Sequence, residues 1–384
     1  MASKKKSDYL GIRKAGGLEL FFALLMILSS YSFMGVPLQP ILWALLFIIL
    51  FFKRKQINSP TFRPLLILIA FVLIHDLIYL FIANGRIFAY LEQIIFFGCM
   101  IMAVKVFDID RLKGSLNLVA IIAIIGLLYQ WAIIAAGGEI RPIGLPFLDM
   151  GESRMTTFSV RPSSFFMEPA AYVAFMYIPL AFALIDKKFV WAAIIVLTEF
   201  LTTSTTGIIT SFIMVITYVF TQKIAFRTRL LTALILVGMA ASLVYVGEFQ
   251  TGVEKLETTD IETNIRLAQG PYIVSTMKPY EMIVGAPYHN AFDYCKDGRA
   301  PNVISNDEEV FISTIWQMIL KYGFVGLFLY LMFFVRIVKK QRKALPLILC
   351  VVATMFSSGF GVGMYFVYLG IPLILMLYYL PQEC

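Results

Sequence analysis

The sequence predicts an all-α polytopic membrane protein with about 12 transmembrane helices, and three observations lead there. The chain is 60% hydrophobic and only 15% charged, against about 25% charged in a soluble domain. Its mean hydropathy is +0.82. Apolar runs approaching the roughly 20 residues that cross a bilayer recur along its whole length. Little is left over for a soluble domain, so residues 1–384 read as a single integral membrane domain, with no simple internal repeat.

The candidate spans are 18–35, 37–52, 64–83, 87–104, 116–136, 169–185, 189–203, 207–221, 230–247, 311–335, 344–360 and 364–380. A basic stretch, Lys4 to Lys14, precedes the first. That apolar run is too long for a signal peptide and lacks a small-residue cleavage site, so it is kept as a span. The seventh and eighth runs also read as one broken pair around Thr202 to Gly207. Where a run is shorter than a full crossing, flanking residues extend the helix.

Charge sets the topology. With the N-terminus inside, the inner segments are 1–17, 53–63, 105–115, 186–188, 222–229, 336–343 and the C-terminus. They hold 22 of the 32 Lys and Arg; the outer segments hold nine, and Lys321 falls within a span. This excess places both termini in the cytoplasm. It also places two long loops outside, 137–168 and 248–310. Loops of that length usually carry a function, and both lie on one face. The net charge of +8 is divided among short loops, so nucleic acid is not an expected partner. Of the four cysteines only Cys295 lies in a long loop, so no structural disulfide is expected and no zinc spacing appears.

The outer face carries nine basic residues against 15 acidic ones. An anionic lipid headgroup there must be gripped by particular cations. Arg161, opening the stretch RPSSFFMEPA, is one candidate, and Arg266 is another. The stretch after Thr263 suits an amphipathic helix on the membrane surface, with Gly270-Pro271 as a break. The alternative for both arginines is solvation or pairing with a nearby Glu. Glu168 stands just before Pro169, which suits the start of the sixth helix and does not exclude catalysis. His289-Asn290 brings a group able to act as acid or base, or a neutral surface histidine.

Asp307-Glu308-Glu309 looks like a metal cluster, but Ser305 and Glu308 form a capping box, so no metal is assigned. His75 and Asp76 in the third span lie level with Glu92 in the fourth. They are expected to meet across that hairpin, with Arg86 at its mouth, as a structural cluster or a functional one. Glu199 and Lys321 are nearer span ends and suited to snorkelling. The hydroxyls of Thr202 to Thr206 can satisfy a bent backbone or touch sugar and phosphate.

Three local patterns together resemble the O-antigen polymerase (Wzy) and O-antigen ligase superfamily of bacterial envelope glycosyltransferases. One is the Arg-x-Ser-Ser-x-Phe-x-Glu-Pro type sequence at Arg161, Ser163, Ser164, Phe166, Glu168 and Pro169. The second is the Ser/Thr-rich turn from Ser204 to Gly207. The third is a long loop with Arg266, Gly285, Pro287, His289 and Asn290. The resemblance covers the layout from about residue 60 to 335, on short motifs. The chain departs from it at Arg161-Pro162, and at Ser204-Thr205 where the family usually has Ser-Arg.

The resemblance implies a fold similar to the multi-span, metal-independent lipid-sugar (GT-C-like) glycosyltransferases of the inner membrane, with its two long loops periplasmic. It implies a polymerase that moves glycan from undecaprenyl diphosphate to a lipid-linked repeat unit, without a cofactor. Arg161 and Arg266 match the family's arginines and would hold the diphosphate. His289, which matches the ligase histidine, and Glu168 are the candidate bases. Ser163, Ser164, Asn290, Ser204 and Thr205 are candidate substrate contacts. The implied partners are the undecaprenyl-diphosphate-linked oligosaccharide, membrane lipids and a chain-length-regulating co-polymerase. The Glu-Pro pair favours a polymerase over a ligase; a flippase for lipid-linked sugars is the alternative from another class.

Overall fold

The computed structural model describes residues 8–29, 31–53, 63–82, 87–140, 143–150, 161–221, 265–288, 291–301, 312–340 and 345–357, with the single positions 227, 234, 238 and 303. In chain order the helices are α1 Gly17–Leu28, α2 Leu38–Lys53, α3 Arg63–Ile82, α4 Ile87–Val106, α5 Ile109–Ala135, α6 Pro169–Ile185, α7 Phe189–Leu201 and α8 Thr205–Thr221. They continue with α9 Ile265–Ser275, α10 Pro279–Val284, α11 Ala291–Lys296, α12 Thr314–Lys340 and α13 Leu345–Ser357. Among the described residues three helices are long and apolar enough to cross a membrane, over Leu65–Ile82, Ile109–Ala135 and Thr314–Lys339; α1, α2, α6, α7 and part of α8 are shorter and apolar. Large apolar side chains remain exposed along them, among them Ile74, Ile78 and Phe81 on α3 and Ile125 and Leu128 on α5. Helices that stay apolar on their outer faces are those of a membrane protein. The expected spans 230–247 and 364–380 lie outside the described residues, apart from Leu234 and Gly238.

The chain divides into two compact units, Met1–Lys55 with Met102–Tyr218 and Gln56–Ile101 with Val219–Cys384. In the first unit, α6 is the central helix, and Ala171 to Leu184 are all buried. α1 stops at Leu28 rather than near residue 35, because the chain folds back in a hairpin. Met34 and Gly35 take left-handed conformations, φ 52° and 77°, the geometry of a two-residue hairpin turn. β1 Tyr31–Phe33 pairs antiparallel with β2 Val36–Pro37 on one side and with β3 Asp149–Met150 on the other. The expectation of an all-α chain is therefore modified by a small sheet, order β2-β1-β3, which ties the 137–168 loop to the α1–α2 turn.

Three of the segments that charge counting puts on one side meet in the first unit. Lys14 pairs with Asp110 at 2.8 Å and Lys113 with Asp186 at 2.8 Å. Asn117 Nδ2 donates to the Leu10 carbonyl at 2.8 Å. Residues from 1–17, 105–115 and 186–188 thus meet at one end of this unit. Asp108 caps α5 by accepting from the Arg111 amide, and its own amide donates to Glu19.

In the second unit, α9, α10 and α11 surround an apolar cluster of Ile273, Met277, Ala286, Tyr294, Cys295 and Leu320. α9 runs through the Gly270-Pro271 pair expected to break it. A Cβ on Gly270 would overlap the Trp316 ring, so the glycine serves a close helix approach instead. α12 is broken at Gly323, φ 64° and ψ −171°.

Candidate functional site

The RPSSFFMEPA stretch folds into a tight turn locked onto α5. Gln130, fully buried, accepts through Oε1 from the amides of Ser163 at 3.0 Å and Ser164 at 2.8 Å. The Ser163 hydroxyl donates to the Phe166 carbonyl at 2.9 Å, and the Phe166 amide donates to the Ser163 carbonyl at 3.1 Å. Tyr31, from β1, donates its hydroxyl to the Phe165 carbonyl at 2.8 Å. Burial pushes the Tyr31 phenol up to about 12, which keeps it a donor. Ser164 takes a left-handed φ of 57°. It packs where α5 has Gly126, whose Cβ would overlap the Ser164 hydroxyl. The Ser164 hydroxyl is buried without a hydrogen-bond partner.

The turn presents its ends. Arg161 is half-buried at its start, while Pro162, Ser163 and Ser164 are buried behind it. Glu168 is the N-cap of α6 with Pro169 at the first helical position, and its side chain makes no capping bond. The carboxylate is half-buried beside the positive end of the helix.

The Ser/Thr-rich turn lies between α7 and α8, so these are two helices. Thr202 donates its hydroxyl to the Glu199 carbonyl at 2.7 Å and accepts from the Ser204 amide at 3.3 Å. The Ser204 hydroxyl accepts from the Gly207 amide at 3.4 Å, capping α8. The hydroxyls of Thr202 and Ser204 satisfy the bent backbone as expected, while that of Thr203 is buried without a hydrogen-bond partner. The side chain of Thr205 lies outside the described residues. Glu199, expected to snorkel, is instead wholly buried and accepts from the Ser211 hydroxyl. A Cβ on Gly207 would overlap Val173, so α6 and α8 meet closely there.

In the second unit Arg266 lies in the first turn of α9, and its side chain is outside the described residues, as are His289 and Asn290. Gly285 and Pro287 of the same pattern are described. Gly285, φ 97°, lies where a Cβ would overlap the Lys321 carbonyl. Around it, Glu281 is buried and accepts from the Lys278 amide at 2.8 Å and from Arg299 Nη2 at 2.5 and 2.6 Å. Burial opposes the charge of Arg299, yet Tyr294 and Glu281 beside it hold its pKa above the ordinary value. Tyr288 donates to Asp297 at 2.5 Å. Burial first, then that carboxylate, pushes its phenol up to about 12. Burial alone pushes the Cys295 thiol up to about 11.

The expected meeting of His75 and Asp76 with Glu92 is replaced by another. Asp76 Oδ2 accepts from Lys321 Nζ at 3.0 Å and from the Tyr322 hydroxyl at 3.2 Å. Lys321 is only 7% exposed, so it does not snorkel. Glu92 is half-buried, and Arg86 and Asp307 to Glu309 lie outside the described residues. Among the described residues, no three His, Cys, Asp or Glu side chains are grouped to hold a metal.

The structure thus brings Arg161, Ser163, Ser164 and Glu168 into one turn. Sequence reasoning missed its anchors, Gln130 and Tyr31. Gln130 did carry a signal, as an amide inside an apolar run; Tyr31 carried none. Comparison of the chain with protein-family models and with curated proteins finds no match.

Proposed function

We propose that the protein is a polysaccharide polymerase of the bacterial inner membrane. It carries about 12 spans in a GT-C-like arrangement, with both termini cytoplasmic and both long loops periplasmic. The observation that carries this reading is the locked turn. Two amide bonds to buried Gln130 and one hydroxyl from Tyr31 hold the backbone that starts at Arg161. A cation on a fixed backbone suits a reaction in which charge develops on a leaving diphosphate. The gathering of three expected inner segments at one end of the first unit supports the topology.

In the proposed reaction the acceptor hydroxyl of one lipid-linked repeat unit attacks the anomeric carbon of the glycan on undecaprenyl diphosphate. The new glycosidic bond forms as the bond to the diphosphate oxygen breaks, with inversion. Negative charge accumulates on the diphosphate, and Arg161 and Arg266 stabilise it more in the transition state than in the ground state. A guanidinium suits this because it stays charged and binds phosphate oxygens in pairs. The acceptor proton passes to His289 or Glu168. Ser163, Ser164, Asn290, Ser204 and Thr205 are assigned to sugar and phosphate contacts, and a co-polymerase would set chain length.

Loss of either arginine removes on the order of 3 kcal/mol of transition-state stabilisation, about a hundredfold in rate. Arg161→Ala and Arg266→Ala should therefore collapse the polysaccharide ladder to single repeats at normal protein level. A wild-type ladder from either overturns the assignment. A second reading, transport of lipid-linked sugar, is favoured by one observation, the buried Asp76–Lys321 pair near the break in α12. A deletion strain separates the readings. A lost polymerase leaves one repeat attached, a lost ligase leaves long chains on the carrier, and a lost flippase traps single repeats inside.

A further inference from the structure

Charge counting puts residues 248–310 in a loop outside the membrane, yet part of that loop touches two apolar spans well short of their ends. His75 Nε2 of α3 lies 2.7 Å from the Val284 carbonyl, and Tyr79 donates its hydroxyl to the Gly285 carbonyl at 2.5 Å. The Ala286 amide donates to the Leu320 carbonyl of α12 at 2.7 Å. α3 ends at Ile82, seven residues past His75, and α12 starts at Thr314, six residues before Leu320. At about 1.5 Å per residue, these contacts lie about 10 Å and about 9 Å from the two helix ends. α3 has 20 residues, so its length of about 30 Å matches the hydrocarbon core, and His75 lies about a third of the way in. α10, six residues long, covers about 9 Å and can carry the chain to that depth.

Non-helical backbone persists at such a depth only where the protein itself satisfies every amide and carbonyl. The stretch after α10 meets that demand. The Gly285 amide donates to the Glu281 carbonyl at 2.6 Å, Ala286 to Leu320, and Tyr288 to the Ala286 carbonyl at 2.8 Å. Pro287 has no N–H. The carbonyls of Val284 and Gly285 are taken by His75 and Tyr79. A carbonyl only accepts, so His75 Nε2 carries the hydrogen. A loop in water needs no such partners from within a span. Packing is equally close. A Cβ on Gly323 would overlap the Ile283 carbonyl, and one on Gly285 the Lys321 carbonyl. Beside the stretch, Asp76 of α3 binds Lys321 and Tyr322 of α12, so the charges at this level are paired.

Polarity follows depth. Glu281, nearer the start of α10, is paired with Arg299, while no residue from Met282 to Pro287 is charged. Ile283 and Val284 are nevertheless exposed. Val284 is bonded to α3, where Ile78, Phe81 and Ile82 are exposed, and Ile283 rests on Gly323, which is followed by exposed Phe324. The two side chains thus continue the apolar outer faces of both spans.

We infer that residues 279–288 re-enter the bilayer beside α3 and α12, and that Ile283 and Val284 are an interaction surface for phospholipid acyl chains. His75 and Tyr79 are the groups that make the backbone tolerable there. The inference rests on α3 and α12 crossing the membrane and is independent of the polymerase reading.

The test places single cysteines at Ile283→Cys, Val284→Cys and, as an exposed reference on α11, Lys296→Cys. Each is made in the full-length protein with Cys384→Ser; Cys99, Cys295 and Cys350 are buried. Membrane fragments open on both faces are treated with a membrane-impermeant maleimide. A thiol in hydrocarbon does not form the reactive thiolate, so Ile283→Cys and Val284→Cys should label at least about tenfold more slowly than Lys296→Cys. Bimane, attached at either position with a membrane-permeant reagent, should be quenched by phospholipid carrying a doxyl group on its acyl chain. Labelling as fast as at Lys296→Cys puts the segment in water and overturns the inference. Slow labelling without quenching means that another polypeptide covers the face, and overturns the lipid surface. Tyr79→Phe added to Ile283→Cys strands the Gly285 carbonyl and should speed labelling severalfold; an unchanged rate overturns the role given to Tyr79.

Discussion

Replacing Gln130 by Leu tests whether the turn at Arg161 matters as a rigid object. The substitution keeps the volume of α5 and removes the one acceptor shared by the Ser163 and Ser164 amides. Both serines are 0% exposed, so water does not replace the lost oxygen. Each orphaned buried donor costs about 1–3 kcal/mol, which makes about 2–6 kcal/mol for the pair. The turn joins a loop to α6 and can open without dismantling the bundle, so it is the part that yields. The expected result is a protein at normal level whose surface polysaccharide collapses to short chains. Chymotrypsin should also cut more readily at Phe165 and Phe166. Gln130→Glu keeps acceptor oxygens in place and should retain most of the ladder. A wild-type ladder and an unchanged digest from Gln130→Leu would refute the idea that Arg161 works from a fixed backbone.

Three further outcomes follow from the second unit. Gly285→Ala should abolish the folded 279–288 segment, since the new Cβ overlaps the Lys321 carbonyl at a φ of 97°; a variant with normal Cys295 labelling and activity contradicts this. Cys295 in the wild type should resist maleimide at pH 8, because its thiol is buried and its pKa is raised to about 11, and should react quickly once detergent and heat open the fold. Tyr288, at about 12 in the folded state against an ordinary value near 10, makes the fold sensitive to base. The unfolded chain releases that proton first, so the contribution is complete below pH 10 and is lost as pH rises from there through 12. The melting temperature should therefore fall more steeply over that range in wild type than in Tyr288→Phe.

Helix type and many boundaries were legible because apolar runs are long and unambiguous. The sixth expected span, 169–185, coincides with α6, whose start is written in Glu168-Pro169. The end of α1 was not legible, since the hairpin that stops it depends on Met34 adopting a left-handed φ and on a partner strand more than a hundred residues away. Gly270-Pro271 misled for a similar reason. Local chemistry argued for a break, but the ring of Trp316 needs a glycine on that helix face. The candidate residues around Arg161 were legible as a motif, while the groups that hold them are distant in sequence and ordinary in type. Lys321 reads as a surface-seeking side chain because its position near a span end is visible in the sequence and its partner Asp76, 245 residues away, is not.

Ser164 is a poor choice for stability on two counts. It holds a left-handed φ of 57° that glycine would adopt at little cost. It also buries a hydroxyl that finds no partner, and α5 gives up a side chain at Gly126 to make room for it. Strain of this kind gathers where a protein does its work. Ser164→Gly is thus a substitution that should raise the melting temperature, and the activity it retains or loses would say what that hydroxyl is kept for.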